Sequence, residues 1–198
     1  MDNCAVIVLA GGNSSRMNSP KPWLVFVNNA TFLENIVNSY NEVGFKKIVI
    51  SLNKKFFLTA YTDRIEQLKK KATFVEIENP EKGRLFSLQL ALKVVGDVDV
   101  AFIQNVDNPF IDETVINTLY KERISDGVTI PKYQEKAGHP IIISKNVIRE
   151  IVDNYMKYET LKELTNQFEK KYVKVYNSDI LININTPLEY HDAINEHI

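Results

Sequence analysis

The sequence predicts an α/β protein in which a mostly parallel sheet carries helices on both faces. Three observations lead there. The run Ala5-Val6-Ile7-Val8-Leu9 is apolar throughout rather than alternating, as a strand covered on both sides must be. Short β-branched runs of this kind recur along the chain and trade places with stretches of helical spacing, the rhythm of parallel strands joined by crossover helices. The third observation is length: 198 residues suffice for a domain that buries roughly 70 % of its unfolded surface. With no internal repeat, Pro/Gly-rich linker or low-complexity tract, residues 1–198 read as a single domain.

The elements follow in order. After the first strand a polar, glycine-containing loop leads to a helix over 31–43, where Phe32, Ile36, Val37 and Tyr40 share one face and Thr31 with Glu34 suits a capping box. Residues 47–52 read as a second strand, 58–71 as a helix with a solvated charged end, and 73–77 as a third strand. Leu85, Leu88, Leu92 and Val95 form a helical stripe, 98–103 is another apolar strand, and 112–120 is a helix opened by acidic residues that suit its dipole. From Gly127 the rhythm changes. Segments 128–131 and 140–143 flank a polar turn holding Lys132, Glu135, Lys136 and Gly138, which reads as a small β-hairpin excursion. Helices are expected at about 146–156 and 160–168, strands near 172–176 and 180–184, and a last helix from Pro187.

Composition narrows the function. The chain is 44 % hydrophobic and 25 % charged, which excludes global disorder. Its 24 Lys and Arg against 25 Asp and Glu give a net charge of −1, so neither nucleic-acid nor anionic-membrane binding of the electrostatic kind is expected. Any anion site must be local. Cys4 is the one cysteine, no Cys/His spacing suits zinc, and the reading is cytoplasmic. The apolar stretch 4–10 is too short to span a bilayer and lacks a basic flank and cleavage site, so neither signal peptide nor anchor is expected.

The informative segment is Leu9-Ala10-Gly11-Gly12-Asn13-Ser14-Ser15-Arg16-Met17-Asn18-Ser19-Pro20-Lys21. Glycines straight after a buried strand let the backbone approach a ligand and aim amide N–H groups at phosphate oxygens, while Arg16 and Lys21 supply charge. The segment is neither a Walker loop nor a G-x-G-x-x-G fingerprint. Taken alone, it also reads as a glycine turn with two solvated cations.

As a whole the string resembles the signature L-A-G-G-x-S-x-R-M-G-x-P-K of the MobA/MocA-like nucleotidyltransferases, which attach a nucleotide to molybdopterin, and more distantly that of sugar-nucleotide pyrophosphorylases. Leu9, Ala10, Gly11, Gly12, Ser14, Arg16, Met17, Pro20, Lys21 and Leu24 match in register. Asn18 replaces a glycine, and asparagine tolerates left-handed backbone better than most residues. Further segments match in family order over nearly the full chain. Asn105-Val106-Asp107-Asn108-Pro109 resembles the D-x-P segment, and Gly83-Arg84-Leu85-Phe86-Ser87-Leu88 resembles the MocA-type G-x-x-x-S-L. Gly138-His139-Pro140 resembles G-H-P, and Ile184-Asn185-Thr186-Pro187 resembles the late I-D-T-P, with Asn183 and Asn185 where aspartates are frequent.

The resemblance implies a Rossmann-like three-layer α/β/α domain of the nucleotide-diphospho-sugar transferase type. It implies magnesium-dependent transfer of a nucleoside monophosphate from a triphosphate to a phosphate of molybdopterin, with release of pyrophosphate and a molybdoenzyme as possible client. CTP is favoured by the MocA-type segments, with GTP the other candidate. Gly11 and Gly12 amides and Arg16 would then meet the β- and γ-phosphates, Lys21 the α-phosphate, and the Leu9 and Ala10 backbone the base. By the same resemblance Asn53, Asn79 and Ser87 would be further nucleotide contacts, Asp107 and Asn185 would hold Mg2+, and His139 would meet the acceptor. Plainer roles stand beside these: a turn cap for Asp107, the N-cap of the last helix for Asn185, turn formation for Asn53 and Asn79, packing for His139. Two other functions remain in view, a sugar- or polyol-phosphate nucleotidyltransferase and a catalytically decayed nucleotide-binding protein.

Overall fold

In the computed structural model, which describes residues 3–197, the first apolar run is β1 (Cys4–Ala10), buried at every position. Its side chains alternate between two cores, which is why no position along it is polar. Cys4, Val6, Val8 and Ala10 face one core, and Ala5, Ile7 and Leu9 face the other. β1 runs parallel to β2 (Lys47–Asn53) on one side and to β4 (Val100–Asn105) on the other, and β3 (Thr73–Ile77) lies parallel outside β2.

The sheet extends beyond β4 through β7 (Ile141–Ser144), which pairs antiparallel with both β4 and β5 (Val128–Tyr133). The polar turn after β5 forms the expected hairpin with the two-residue β6 (Lys136–Ala137), and β8 (Lys170–Lys174) runs parallel to β5. Among the described residues only β6 and β7 run against the other strands. The segments flanking the turn are therefore part of the central sheet itself.

Helices α1 (Phe32–Glu42), α2 (Thr62–Lys69), α4 (Glu113–Glu122) and α7 (Pro187–His197) cover the first core. α3 (Gly83–Val95), α5 (Lys145–Asn154) and α6 (Leu161–Thr165) cover the second. The layers are thus α/β/α. The box at the start of α1 forms as the sequence suggests, with Thr31 and Glu34 exchanging backbone and side-chain hydrogen bonds. Among the described residues no helix is long and apolar enough to cross a membrane.

Three expectations need correction. The helix expected over 58–71 begins only at Thr62, because short 3-10 turns at Lys54–Phe56 and Thr59–Tyr61 use the preceding residues. The one at 160–168 shrinks to α6, capped by Thr160, whose side chain accepts from the Glu163 amide. The strand expected at 180–184 does not form: Ser178–Leu181 is a 3-10 helix. Its backbone is engaged elsewhere, since Ile180 O accepts from His139 N at 2.9 Å and Ile184 N donates to Asp107 O at 2.7 Å. Buried Asn108 adds to this by donating to the carbonyls of Asp179 and Ile182. That stitching carries the chain past the carboxyl ends of β1 and β4, where an open α/β sheet places its ligands.

Candidate active site

The loop leaving β1 is pressed against α3. A Cβ on Gly11 would stand 2.8 Å from Ser87 Oγ and 3.3 Å from Ile77 Cγ1, so a glycine is what allows the approach. Behind the loop, Asn53 is buried at the end of β2. Its Nδ2 donates to Gly11 O at 3.2 Å, Gly12 O at 3.4 Å and Asn13 Oδ1 at 3.2 Å, and its Oδ1 accepts from Lys55 N. The Asn53 amide thus shapes the loop from the rear. Met17 anchors the loop in the core, and Asn18 takes φ 54, the left-handed conformation its glycine counterpart would favour. Ser14 Oγ accepts from Lys21 N at 3.3 Å, closing the turn.

Lys21 stands on a rigid base. The next residues, Pro22 and Trp23, are buried. Trp23 donates from Nε1 to Phe56 O at 2.9 Å and stacks on Tyr61 at 5.1 Å, so it lids the core. Lys21 Nζ donates to Asn185 Oδ1 at 2.7 Å and lies 3.8 Å from Asp107 Oδ2. Arg16, exposed at the rim, donates to the same Asn185 oxygen at 3.1 Å. Three segments remote in sequence therefore meet at one point. Burial lowers the Lys21 pKa; Asp107 and Glu189 oppose that shift, and Arg16 adds to it.

The plainer roles of Asp107 and Asn185 are filled by neighbours. Asp112 caps α4, accepting from Val115 N at 3.1 Å. Thr186 and Glu189 cap α7 reciprocally, with Glu189 N donating to Thr186 Oγ1 at 3.3 Å and Thr186 N to Glu189 Oε2 at 2.9 Å. Asp107 Oδ1 is buried and has no hydrogen-bond partner. A buried carboxylate oxygen without a donor suits a cation. Among the described residues no group of three or more His, Cys, Asp or Glu is placed to hold a metal, so a divalent ion here would rest on Asp107 and on the ligand's own oxygens.

The glycine loop, Lys21 and Asp107 line a cleft of about 280 Å³. Leu9 to Gly12, Ser14 and Lys21 form one wall; Pro80, Gly83, Arg84 and Ser87 form the other; Asn105 to Asp107 form the floor. Asn79 stands just ahead of the Pro80–Lys82 turn, outside the lining. His139 lies past the floor, with Nε2 3.0 Å from the Asn105 amide and Nδ1 buried without a partner. Its pKa is pushed down to about 4 by burial and by the charge of Arg84, against the pull of Asp107, so the ring is neutral at pH 7. In the sequence Arg84, Ser14 and Asn105 carry no individual role, although each lies in a segment that resembles the family's. An exposed arginine in the first turn of a helix carries no signal of its own, whereas Ser14 lay within the matched signature. A cleft lined by a glycine loop, two cations and an unsatisfied carboxylate is equipped to hold a polyanion together with a divalent ion.

Comparisons with known proteins agree with this chemistry. Residues 6–172 match the family described as "MobA-like NTP transferase domain". Among curated relatives, a "Probable molybdenum cofactor guanylyltransferase" of Clostridium perfringens is 28 % identical, covering 94 % of each chain. One of the same name from Carboxydothermus hydrogenoformans is 24 % identical, covering 96 % of this chain and 94 % of its own. Among solved structures, Rv0371c of Mycobacterium tuberculosis superposes with a TM-score of 0.79 at 18 % identity, covering 98 % of this chain and 97 % of its own. A 4-diphosphocytidyl-2C-methyl-D-erythritol synthase of Anaerococcus prevotii gives 0.76 at 14 % identity, covering 98 % and 95 %. The sheet and its helices thus have the nucleotide-diphospho-sugar transferase fold.

Proposed function

Since the chain belongs to the MobA-like NTP transferase family and is a nucleotidyltransferase, we propose that it transfers GMP from GTP to a phosphate of molybdopterin, with magnesium, releasing pyrophosphate. The supporting observation is that the glycine loop, Lys21 and Asp107 line one cleft, with Lys21 Nζ 3.8 Å from Asp107 Oδ2 and bonded to Asn185 Oδ1 at 2.7 Å. Segments resembling the MocA type favour CTP, but the relatives carry guanylyltransferase names, and GTP is the base we adopt. In this reading the reaction runs in the cytoplasm, and a molybdoenzyme receives the finished cofactor.

A phosphate attacking an α-phosphorus needs no protein base. What must be managed is negative charge gathered at two phosphates and released on a third. The Gly11 and Gly12 amides and Arg16 take the β- and γ-phosphates, and Lys21 follows the charge that builds on the α-phosphate. The Leu9 and Ala10 backbone, with 79–87 opposite, meets the base, and Asn53 keeps the loop in shape from behind. Magnesium, when bound, would supply charge neutralisation for the triphosphate. Asp107 would hold it, through the oxygen that makes no hydrogen bond in the fold. Asn185 already accepts from Lys21 and Arg16, so ligation would cost it one of those bonds.

Calorimetric titration with GTP, CTP, ATP and UTP plus magnesium selects the base, and pyrophosphate release with molybdopterin tests the acceptor. GTP should bind most tightly and molybdopterin should support turnover. Release with a hexose 1-phosphate and none with molybdopterin would select the sugar-phosphate reading. Nucleotide binding with no turnover on either would mark a decayed site.

A further inference from the structure

Gln104 is a fully buried amide on β4, and its side chain shares a face of the sheet with Phe102, towards the core under α1. An amide in such a place is unfavourable unless its polar atoms are used. Tyr40 donates from its hydroxyl to Gln104 Oε1 at 3.0 Å. Gln104 Nε2 donates to Asn108 O at 2.7 Å, and to Asn105 O and Asn108 Oδ1 at 3.2 Å each. Three oxygens surround Nε2, so the amide cannot be turned over, and every donor it has is spent on residues 105–108.

Those residues form the turn that leaves β4, closed by Asn108 N donating to Asn105 O at 3.2 Å, and Asp107 stands in it at the cleft floor. On one side Val106 N donates to Leu9 O at 3.1 Å, next to the glycine loop. On the other, Asn108 Nδ2 donates to Asp179 O at 2.9 Å and to Ile182 O at 2.5 Å, while Asp107 O accepts from Ile184 N at 2.7 Å. That second attachment brings Asn185 to Lys21. Gln104 therefore bonds the turn that carries Asp107 and also the side chain, Asn108, from which the segment before Asn185 hangs. A methionine of similar length would fill the same space and hold neither. Magnesium tolerates little departure from octahedral geometry, so the aim of a carboxylate towards it depends on what braces that carboxylate from behind.

We propose that Gln104 is the positioning residue of the candidate metal site: from beneath the β4 turn it sets the Asp107 carboxylate and, through Asn108, the segment that bears Asn185. Gln104 does not line the cleft and acts only through those residues. The inference rests on the reading of the cleft as a site for a triphosphate and magnesium.

The test is calorimetric GTP binding with and without magnesium to full-length wild type, Q104M and Y40F, each checked by circular dichroism to be folded at the working temperature. Y40F is the control for a purely structural role, because it removes a buried hydrogen bond from the same amide and leaves the Nε2 bonds to the turn. In Q104M the gain in GTP affinity that magnesium brings should shrink by on the order of tenfold, with metal-free affinity within about twofold of wild type. Y40F should keep the wild-type gain, whatever its melting temperature. Should Q104M not fold, the double variant Q104M/Y40F, which leaves no tyrosine hydroxyl unpaired, takes its place with the same expectation. A full magnesium gain in Q104M, an equal loss in Y40F, or a metal-free affinity that falls as far as the magnesium-bound one overturns the inference alone. Absence of any magnesium gain in wild type would overturn the reading of the cleft, and the inference with it.

Discussion

Lys21 gathers more of the site's electrostatics than any neighbour, being half-buried between Asp107 and Asn185 with Arg16 on the same amide oxygen. Lys21→Ala should reduce turnover by on the order of a hundredfold or more, as loss of other transition-state donors does; an unchanged rate would reject its role. His139 gives a prediction on stability. In the fold its pKa is about 4, against an ordinary 6.5, so below pH 6.5 the unfolded chain takes up a proton that the folded one refuses. Stability from this group is level above pH 6.5 and declines as pH falls towards 4, by about 2 kcal/mol between pH 7.5 and 5. Urea unfolding of wild type and His139→Asn at the two pH values checks this. The variant should lose that part of the slope, and an equal slope in both would refute it. At this scale the sequence is legible where chemistry is local. The glycine loop and Asp107 stand out by residue type and order, whereas the rearward aim of Asn53 and the cleft position of Arg84 depend on partners 40 or more residues away or across the sheet.

Elements were readable where their own residues decide them. Thr31 and Glu34 announce the start of α1, and the leucine stripe announces α3, because caps and helical faces involve neighbours in sequence. Segment 180–184 misleads for the opposite reason: alternate isoleucines suggest a strand, yet its backbone partners are Asp107, Asn108 and His139. Asn108, fully buried, also accepts from Gln104 Nε2 at 3.2 Å. Asn108→Ala would remove its hydrogen bonds to the Asp179 and Ile182 carbonyls, costing on the order of 3 kcal/mol, and would loosen the chain that delivers Asn185. A melting temperature and turnover equal to wild type would contradict this. Where the β1 loop meets α3, Gly11→Ala should cost about 1–3 kcal/mol because its Cβ would stand 2.8 Å from Ser87 Oγ. Adding Ser87→Ala should recover part of the loss, and no recovery in denaturant titration would show the crowding to lie elsewhere.

For the molecule as a whole, the α/β class follows from β1, whose alternate residues feed two cores and so leave no polar position. The insertion of β7 between β4 and β5 was not readable, since strand order beyond neighbours depends on long-range pairing rather than on local pattern. Nor could spacing alone bring 16, 21, 107 and 185 together; the crossover topology does that by stacking the loops at the carboxyl ends of adjacent strands. The measurement that probes this convergence most directly is calorimetric binding of GTP with and without magnesium, in wild type and Asp107→Asn. Magnesium should tighten GTP binding to wild type at least tenfold. Asp107→Asn should lose that gain and still fold cooperatively, since it removes the 3.8 Å ion pair of Oδ2 with Lys21 but no hydrogen bond of Oδ1. GTP affinity indifferent to magnesium in wild type, or a full magnesium gain in Asp107→Asn, would contradict a triphosphate and a divalent ion held between the β1 loop and Asp107.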